Sequence, residues 1–318
     1  MTKTIVKRGV TELITPGVSL NDEVLQSKSN NFLAAVHFGK RLLGVSFLDV
    51  STGEYLLAQG NEEYIDKLLQ NFNPSEVLVQ KQFKKKFKEL FEDRFYTFFL
   101  DDWVFQKEYS VDSLHNHFGV NSLRGFGVQE IPEGIIAAGA VLYYLLETQH
   151  NNLKHIQNIS RIAEDKYIWM DRFTVRNLEL YHASSHNAVT LLDVIDKTIS
   201  PMGGRLLKRW LALPLKDVKK IQHRHELVKH FIENDSFSET IKFQLHQISD
   251  IERLVSKVAT GKISPRELVL LKNSLKAILP VKKEALTSKN TSVNKLGNEI
   301  LDCVEVILKI DAALFDEA

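Results

Sequence analysis

The sequence predicts an α/β domain with a mixed sheet, followed by an all-α domain. With 318 residues, the chain is long enough for two domains. Up to about residue 100, short runs of β-branched and bulky apolar residues alternate with helical patterns. Beyond Asp171 the strand signals largely stop and helical apolar stripes take over.

The first half opens with three predicted strands, at Phe32–Phe38, Leu42–Val50 and Glu54–Ala58. Glycine-containing turns separate them, which is typical of an antiparallel meander. Strand–helix alternation follows, with helices at Glu62–Phe72 and Phe83–Phe91 and strands at Glu76–Gln80 and Phe95–Leu100. This change of pattern predicts a mixed sheet. Two further helices, at Val104–Phe118 and Ile131–His150, are predicted to cover it.

The second half shows three apolar stripes at helical spacing. They comprise Leu206, Leu207, Trp210, Leu211 and Leu213; Ile221, Leu227, Val228, Phe231 and Ile232; and Ile248, Ile251, Leu254, Val255 and Val258. Helices with such stripes need packing partners. Prolines at 201, 214, 265 and 280 punctuate the pattern. Short strands are predicted at Thr4–Ile14 and Tyr167–Met170, and a linker at Asn21–Asn30.

Composition restricts the function classes. The chain is 44% hydrophobic and carries a net charge of +1, so no strong overall field draws it to nucleic acid and any DNA contact must be local. Cys303 is the single cysteine, and the N-terminus lacks a signal-peptide pattern. The apolar run Ile135–Leu146 is shorter than the ~20 residues of a spanning helix and favours a buried helix. We expect a soluble cytoplasmic protein without membrane contact.

Motifs for nucleotides and metals are not met. Gly261 and Lys262 are followed by Ile263, which is not a P-loop, and Gly125 and Gly127 lack a third glycine at the required spacing. His225 and His230 are five residues apart, so they point about 140° apart around a helix instead of sharing a face. We therefore predict no catalytic, cofactor-binding or metal-binding residues.

A free-standing nuclease is an alternative, because mixed sheets that begin with a meander also occur in ribonuclease H-like enzymes. Those enzymes hold two metal ions with clustered carboxylates. The predicted first strand has no acidic residue, while Asp49, Asp101 and Asp102 lie at strand ends. Three carboxylates converging at the sheet would favour the enzyme, and dispersed carboxylates would count against it.

The most basic stretch is the helix that contains Lys84, Lys85 and Lys88. Its apolar residues Phe83, Phe87, Leu90 and Phe91 predict a buried stripe, which leaves the lysines on the wet face. A solvated face is one interpretation. The other is a contact surface for acidic groups of a partner, with Lys84, Lys85 and Lys88 as the candidate residues.

Ordered sequence blocks in the helical half resemble a known family. They are Asp171-Arg172-Phe173-Thr174-Val175-Arg176-Asn177-Leu178-Glu179-Leu180, Thr190-Leu191-Leu192-Asp193-Val194-Ile195-Asp196-Lys197-Thr198, Ser200-Pro201-Met202-Gly203-Gly204-Arg205, Asp250-Ile251-Glu252-Arg253-Leu254 and Pro265-Arg266-Glu267-Leu268. Together they closely resemble the core, or lever, domain of the MutS family of DNA mismatch repair proteins. The α/β half is similar to the ribonuclease H-like connector domain of that family.

The resemblance implies a domain organisation. Residues 1–30 correspond to the end of a mismatch-recognition domain and a linker, 31–150 to the connector, 151–170 to a second linker and 171–318 to a truncated lever. The family's N-terminal Phe-x-Glu motif, which stacks on the mispaired base, and its C-terminal ATPase P-loop are not found in this sequence. We therefore expect a non-catalytic middle fragment. A MutS-like protein of another process, such as meiotic recombination, is a second alternative.

The resemblance also implies partners for the parent protein. These are duplex DNA with mismatches, ATP or ADP with Mg, a MutL-like protein that docks on the connector, and a second copy in a homodimer. The fragment itself is expected to bind no cofactor.

The block Ser200, Pro201, Gly203, Gly204 and Arg205 is the candidate coupling joint between mismatch recognition and the ATPase. Ser200 can cap a helix, Pro201 suits the first helical position, and paired glycines allow close packing. One interpretation is that close packing alone accounts for these residues. Packing combined with a role at a moving joint is the second interpretation.

Overall fold

The computed structural model describes residues 13–20, 23–148, 152–181, 183, 185 and 188–314. The chain forms two compact units. Unit 1 comprises Met1–Val24 and Asn31–Ile162, and unit 2 comprises Leu25–Asn30 and Ala163–Ala318. A short early segment of the chain therefore belongs to the unit that is otherwise built from the second half.

Unit 1 is a six-stranded mixed sheet with helices. Its elements in chain order are β1 Leu33–Phe38, β2 Leu43–Asp49, β3 Glu54–Gly60, α1 Glu62–Phe72, β4 Glu76–Gln80, α2 Lys84–Phe91, β5 Thr97–Leu100, α3 Lys107–Phe118, α4 Pro132–Glu147 and β6 Ser160–Arg161. The strand order is β5-β4-β1-β2-β3-β6. β1, β2 and β3 form an antiparallel meander, and β4 and β5 add in parallel beside β1. The predicted mixed sheet is confirmed.

Helices cover the centre of this sheet. Every residue of β1 and β2 is buried, as expected for strands enclosed on both faces. The start of α4 lies directly on β2, because a Cβ on Gly44 would lie 1.9 Å from the carbonyl oxygen of Glu133. The apolar run Ile135–Leu146 lies within α4 and is largely buried. Among the described helices, none is long and apolar enough to cross a membrane.

Some local predictions for unit 1 were incomplete. β5 begins two residues later than predicted, and a 3-10 turn at Lys81–Phe83 precedes α2. β6, which pairs with β3 over only two residues, was not predicted. Such a short strand has no periodicity to detect. The strand predicted at Thr4–Ile14 lies mostly outside the described residues.

Unit 2 is helical, as predicted. Its helices are α5 Arg172–Asn177, α6 Leu191–Ile195, α7 Pro201–Ala212, α8 Val218–Glu233, α9 Asp235–Leu245, α10 Ile251–Thr260, α11 Pro265–Thr287, α12 Thr291–Glu299 and α13 Val304–Ala313. The strand predicted at Tyr167–Met170 is reduced to one bridge between Tyr167 and Leu215. Pro280 lies inside α11 instead of separating two helices. Packing of α11 on α9, α12 and α13 offsets the cost of a proline in a helix interior.

The predicted apolar stripes of unit 2 are only partly buried, since Leu213 and Leu254 are buried but most of the other members are not. Trp210 of α7 and Val255 of α10 are exposed, and no residue of α8 is buried. The buried residues of α7 are Gly204, Arg205 and Ala212, and α10 buries an arginine, Arg253. Two cationic side chains that lie outside the predicted apolar stripes are therefore buried.

Candidate functional site

The candidate joint is the start of α7. Ser200 caps the helix, because its Oγ accepts a hydrogen bond from the backbone N–H of Gly203 at 3.1 Å. Pro201 occupies the first turn of α7, a position that suits proline because its φ is fixed at a helical value and the missing N–H would have no partner there. The preceding helix α6 starts with a capping box between Thr190 and Asp193. Both helices therefore have a capped start, and a short turn joins the end of α6 to the start of α7.

The two glycines of the joint differ in their surroundings. A Cβ on Gly204 would lie 2.7 Å from Cγ and 2.8 Å from Cβ and Cδ of Lys28. The nearest atom to a Cβ on Gly203 is Oγ of the helix's own cap, Ser200, at 3.1 Å. Only Gly204 therefore lacks room for a side chain because a distant part of the sequence lies against it.

Lys28 belongs to residues Leu25–Asn30, which form a strap on the helical unit. Its Nζ donates to Oδ1 of Asp196 at 3.1 Å and to the carbonyl oxygen of Thr198 at 2.9 Å. Hydrogen bonds from Thr198 and from the Lys28 ammonium lower the pKa of Asp196. The Lys28 side chain thus crosses Gly204 and ends at the turn between α6 and α7.

Arg205 is the buried centre of the joint, with 3% of its surface exposed. Its two terminal nitrogens bind the Asp250 carboxylate at 2.7 Å each, and Nη2 also binds Glu252 at 2.6 Å. Nη1 donates to the carbonyl oxygen of Ser27 at 2.8 Å. Burial alone would lower the pKa of Arg205, but the bonds to both carboxylates raise it overall. The guanidinium therefore stays charged and joins α7, α10 and the strap.

A second buried arginine, Arg253 of α10, holds the same strap. Its Nη2 donates to the carbonyl oxygens of Gln26 and Ser29, at 2.9 Å each. Asp250 lies between the two arginines, because its Oδ2 is also 3.8 Å from Nε of Arg253. Lys208 of α7 contacts the Ser29 hydroxyl.

Sequence reasoning selected Arg205 but missed Lys28, Asp250 and Arg253. The block Asp250–Leu254 was recognised as a family match, without a role for its charged residues. Lys28 lies in a polar stretch that carries no periodic signal. The structure brings these residues and the predicted joint together in one site.

The basic helix is the second predicted site. Lys84, Lys85 and Lys88 are exposed on α2, while Phe87 and Phe91 are buried beneath them. Lys88 pairs with Asp93 at 2.7 Å, and Nζ of Lys84 lies 5.0 Å from the ring centre of Phe99. The three lysines therefore lie on the solvent-exposed face of α2, as predicted.

An aromatic surface on unit 1 was not predicted. Trp103, Tyr109 and Tyr143 pack edge to face at 5.1 to 6.1 Å between ring centres, and 46% of Trp103 is exposed. The aromatic groove beside them is a cavity of about 470 Å³, lined by Tyr109, Asp112, Ser113, Asn116, His117, Leu142, Leu146 and Leu153. Burial and the Glu147 carboxylate raise the pKa of Tyr143. The groove therefore combines apolar walls with a carboxylate rim.

The carboxylates considered for a nuclease are dispersed in structural roles. Asp49 is buried and accepts hydrogen bonds from Ser51 and from the backbone N–H of Asn31. Asp101 pairs with Lys81, and Asp102 accepts from the backbone of Gln82. Within the described part of the chain, no group of three His, Cys, Asp or Glu side chains is arranged to hold a metal ion. This geometry counts against the nuclease alternative.

The two units match two family models in order. The model for MutS domain II matches residues 31–157, and the model for MutS domain III matches residues 173–318. The fold and these matches define the chain as a connector-type sheet domain followed by a helical core domain. The chain belongs to the MutS family of DNA mismatch repair proteins, which confirms the resemblance.

Curated relatives carry the name DNA mismatch repair protein MutS. The chain is 62% identical over all its 318 residues to the protein of Flavobacterium psychrophilum, 63% to that of Flavobacterium johnsoniae and 52%, over 306 residues, to that of Bacteroides thetaiotaomicron. It spans 36 to 37% of the length of these relatives.

Proposed function

We propose that this chain is the non-catalytic middle of a longer mismatch repair protein and couples mismatch recognition before it to ATP turnover after it. The longer protein would be a cytoplasmic homodimer that binds mismatched duplex DNA and ATP or ADP with Mg. The similarity to bacterial mismatch repair proteins favours this role over meiotic recombination. Coupling requires an element that both remote sites can bias.

The observation that carries the proposal is the link between the joint and the strap. Arg205 binds two carboxylates next to α10 and one carbonyl of the strap. Lys28 of the strap fills the space above Gly204. Because the strap lies in the chain between the two parts of unit 1, displacement of the polypeptide before it would act directly on the start of α7.

The test is mismatch-stimulated ADP release in the full-length protein. Gly204→Val adds a branched side chain where Lys28 lies. The rate of ADP release with mismatched DNA should therefore fall toward the rate measured with fully paired DNA. Ser200→Ala is the control, since it removes a cap worth about 0.5–2 kcal/mol but leaves the strap contacts in position. Equal stimulation in Gly204→Val and wild type would refute the coupling role of the joint.

We also infer that unit 1 offers a docking surface for a MutL-like partner, as the family resemblance implies. The aromatic groove supports this, because an exposed Trp packed against half-buried Tyr side chains beside a cavity is typical of binding hot spots. The carboxylates of Asp112, in the lining of the groove, and of Glu147, near Tyr143, favour a segment with an apolar anchor and a basic neighbour. Lys84, Lys85 and Lys88 remain a second candidate, suited to an acidic segment.

The two surfaces predict different results in a binding assay with a MutL-like protein. Trp103→Ala should weaken binding about tenfold or more if the groove is the site. Reversal of Lys84, Lys85 and Lys88 to Glu should instead slow association if the basic helix contributes. Phe243→Ala, on an exposed residue of unit 2, is the matched control. Unchanged binding in both test variants would remove both surfaces from consideration.

A further inference from the structure

The strap is bound through its backbone as well as through its side chains. Buried guanidinium groups bind the carbonyl oxygens of Gln26, Ser27 and Ser29. Lys28 adds its bond to Asp196. Backbone carbonyls are present whatever the side chain, so the sequence of the strap gives little sign of this attachment.

None of the six residues of the strap is buried. Gln26 and Ser27 are exposed, and the other four are half-buried. A segment held by polar contacts, with little apolar burial, opens at a lower free energy than a packed core. The strap can therefore leave its site while the helices beneath it stay folded.

The helical unit can also tolerate release of the strap. Arg205 would keep its bonds to Asp250 and Glu252, and Asp250 also lies near Arg253. Release would therefore leave neither arginine as an isolated buried charge, which is the costly outcome. In the released arrangement both arginines would therefore still have carboxylate partners.

We propose that Leu25–Asn30 is a detachable strap with an attached and a released state, and that the coupling at the joint runs through this exchange. Arg253 is a positioning residue here, since it acts on the joint by holding the strap backbone. The inference rests on the proposed function, because it identifies the element that regulates the joint. Binding events before the strap would shift the population of the two states.

A reversible covalent lock tests the proposal. In the full-length protein, with Cys303 and other free cysteines replaced by Ser, Lys28→Cys and Gly204→Cys are combined. The Cβ of Lys28 lies 2.8 Å from an ideal Cβ on Gly204. A disulfide needs about 3.5–4.5 Å, so a shift of the strap by about 1 Å suffices. The oxidised protein holds the strap attached, and reduction frees it.

The lock distinguishes a strap that must be released for coupling from a strap that only stabilises the fold. The factor by which mismatched DNA stimulates ADP release is compared between the oxidised and the reduced form of the same double variant, so that both forms carry the same two substitutions and differ only in the lock. Oxidation should lower this factor toward one, and reductant should restore it. Undiminished stimulation in the oxidised protein would overturn the switch, and failure of the disulfide to form would contradict the attached geometry.

Two controls keep the strap and the proposed function distinct. Absence of stimulation in the wild-type full-length protein would count against the proposed function itself, whatever the lock does. Hydrogen exchange in the 318-residue chain tests the strap alone. Arg253→Gln should speed exchange of the strap amides several-fold relative to those of α11, whereas Arg266→Gln, on an exposed arginine, should not. Equal exchange in both variants would refute the role of Arg253.

Discussion

The tight contact at Gly204 leads to a specific prediction for alanine substitution. Gly203→Ala and Gly204→Ala make the same chemical change one residue apart in the first turns of α7. Only the second places a Cβ within 2.8 Å of Lys28 side-chain carbons near the backbone. Those carbons are not the far end of a flexible chain, so either the strap or α7 must shift.

The magnitude follows from two opposing effects. Alanine is favoured over glycine inside a helix by up to about 1 kcal/mol. Overpacking of a tight contact costs about 1–3 kcal/mol. Gly203→Ala should therefore be neutral or stabilise by less than about 1 kcal/mol, while Gly204→Ala should be less stable than Gly203→Ala by about 1–3 kcal/mol.

Urea unfolding of the 318-residue chain measures this difference. Trp103→Phe leaves Trp169 and Trp210, both in unit 2, as the fluorescent reporters. In a Lys28→Gly background, which removes the clashing atoms, Gly204→Ala should become neutral or stabilising. Equal midpoints for the two alanine variants, or no change in the effect of Gly204→Ala when Lys28 is removed, would refute the packing argument.

Three further predictions concern the chain itself. The isolated chain should neither hydrolyse ATP nor prefer mismatched to paired DNA, and any DNA binding should fade as salt rises; ATP turnover in a clean preparation, or a mismatch preference in a titration, would contradict this. Ser200→Ala should lose about 0.5–2 kcal/mol in urea unfolding through the lost cap, and no loss would mean that the cap contributes nothing. Burial lowers the pKa values of His117 and His155. Between these lowered pKa values and the ordinary histidine pKa of about 6.5, the unfolded chain binds more protons than the folded chain. The free energy of unfolding of unit 1 should therefore fall as the pH drops from 7 to 5. His155→Gln keeps a donor for the Val50 carbonyl and should flatten this dependence; an unchanged slope would exclude His155 as a cause.

Much of unit 1 could be predicted from the sequence because its signals are local. α1 runs over Glu62–Phe72 as predicted, since its apolar residues have helical spacing and Asn61 caps its start. β1 and β2 are runs of apolar residues bounded by turn residues, and they pair as a meander. The change to strand–helix alternation predicted a mixed sheet, but it did not predict that β4 lies parallel beside β1.

The candidate site was only partly predictable because its contacts join distant parts of the sequence. The pattern at residues 200–205 indicated a capped helix start with close packing, but not that Lys28 is the group packed on Gly204. Periodicity predicted that Trp210 and its apolar neighbours would face inward, whereas Trp210 is exposed and Arg205 is buried. A buried arginine is stable when carboxylates and carbonyls surround it, and sequence periodicity does not report such partners.

We propose that the joint carries the coupling between mismatch recognition and nucleotide state. The most direct measurement is the ratio of Kd values for a mismatched duplex with ADP and with ATP bound to the full-length protein, because this ratio is the coupling factor. Arg205→Lys keeps the positive charge but loses the bidentate contact with Asp250 and the hydrogen bond to the strap carbonyl of Ser27. We predict that the ratio falls toward one in this variant while the protein remains folded. A ratio equal to that of the wild type would contradict the claim.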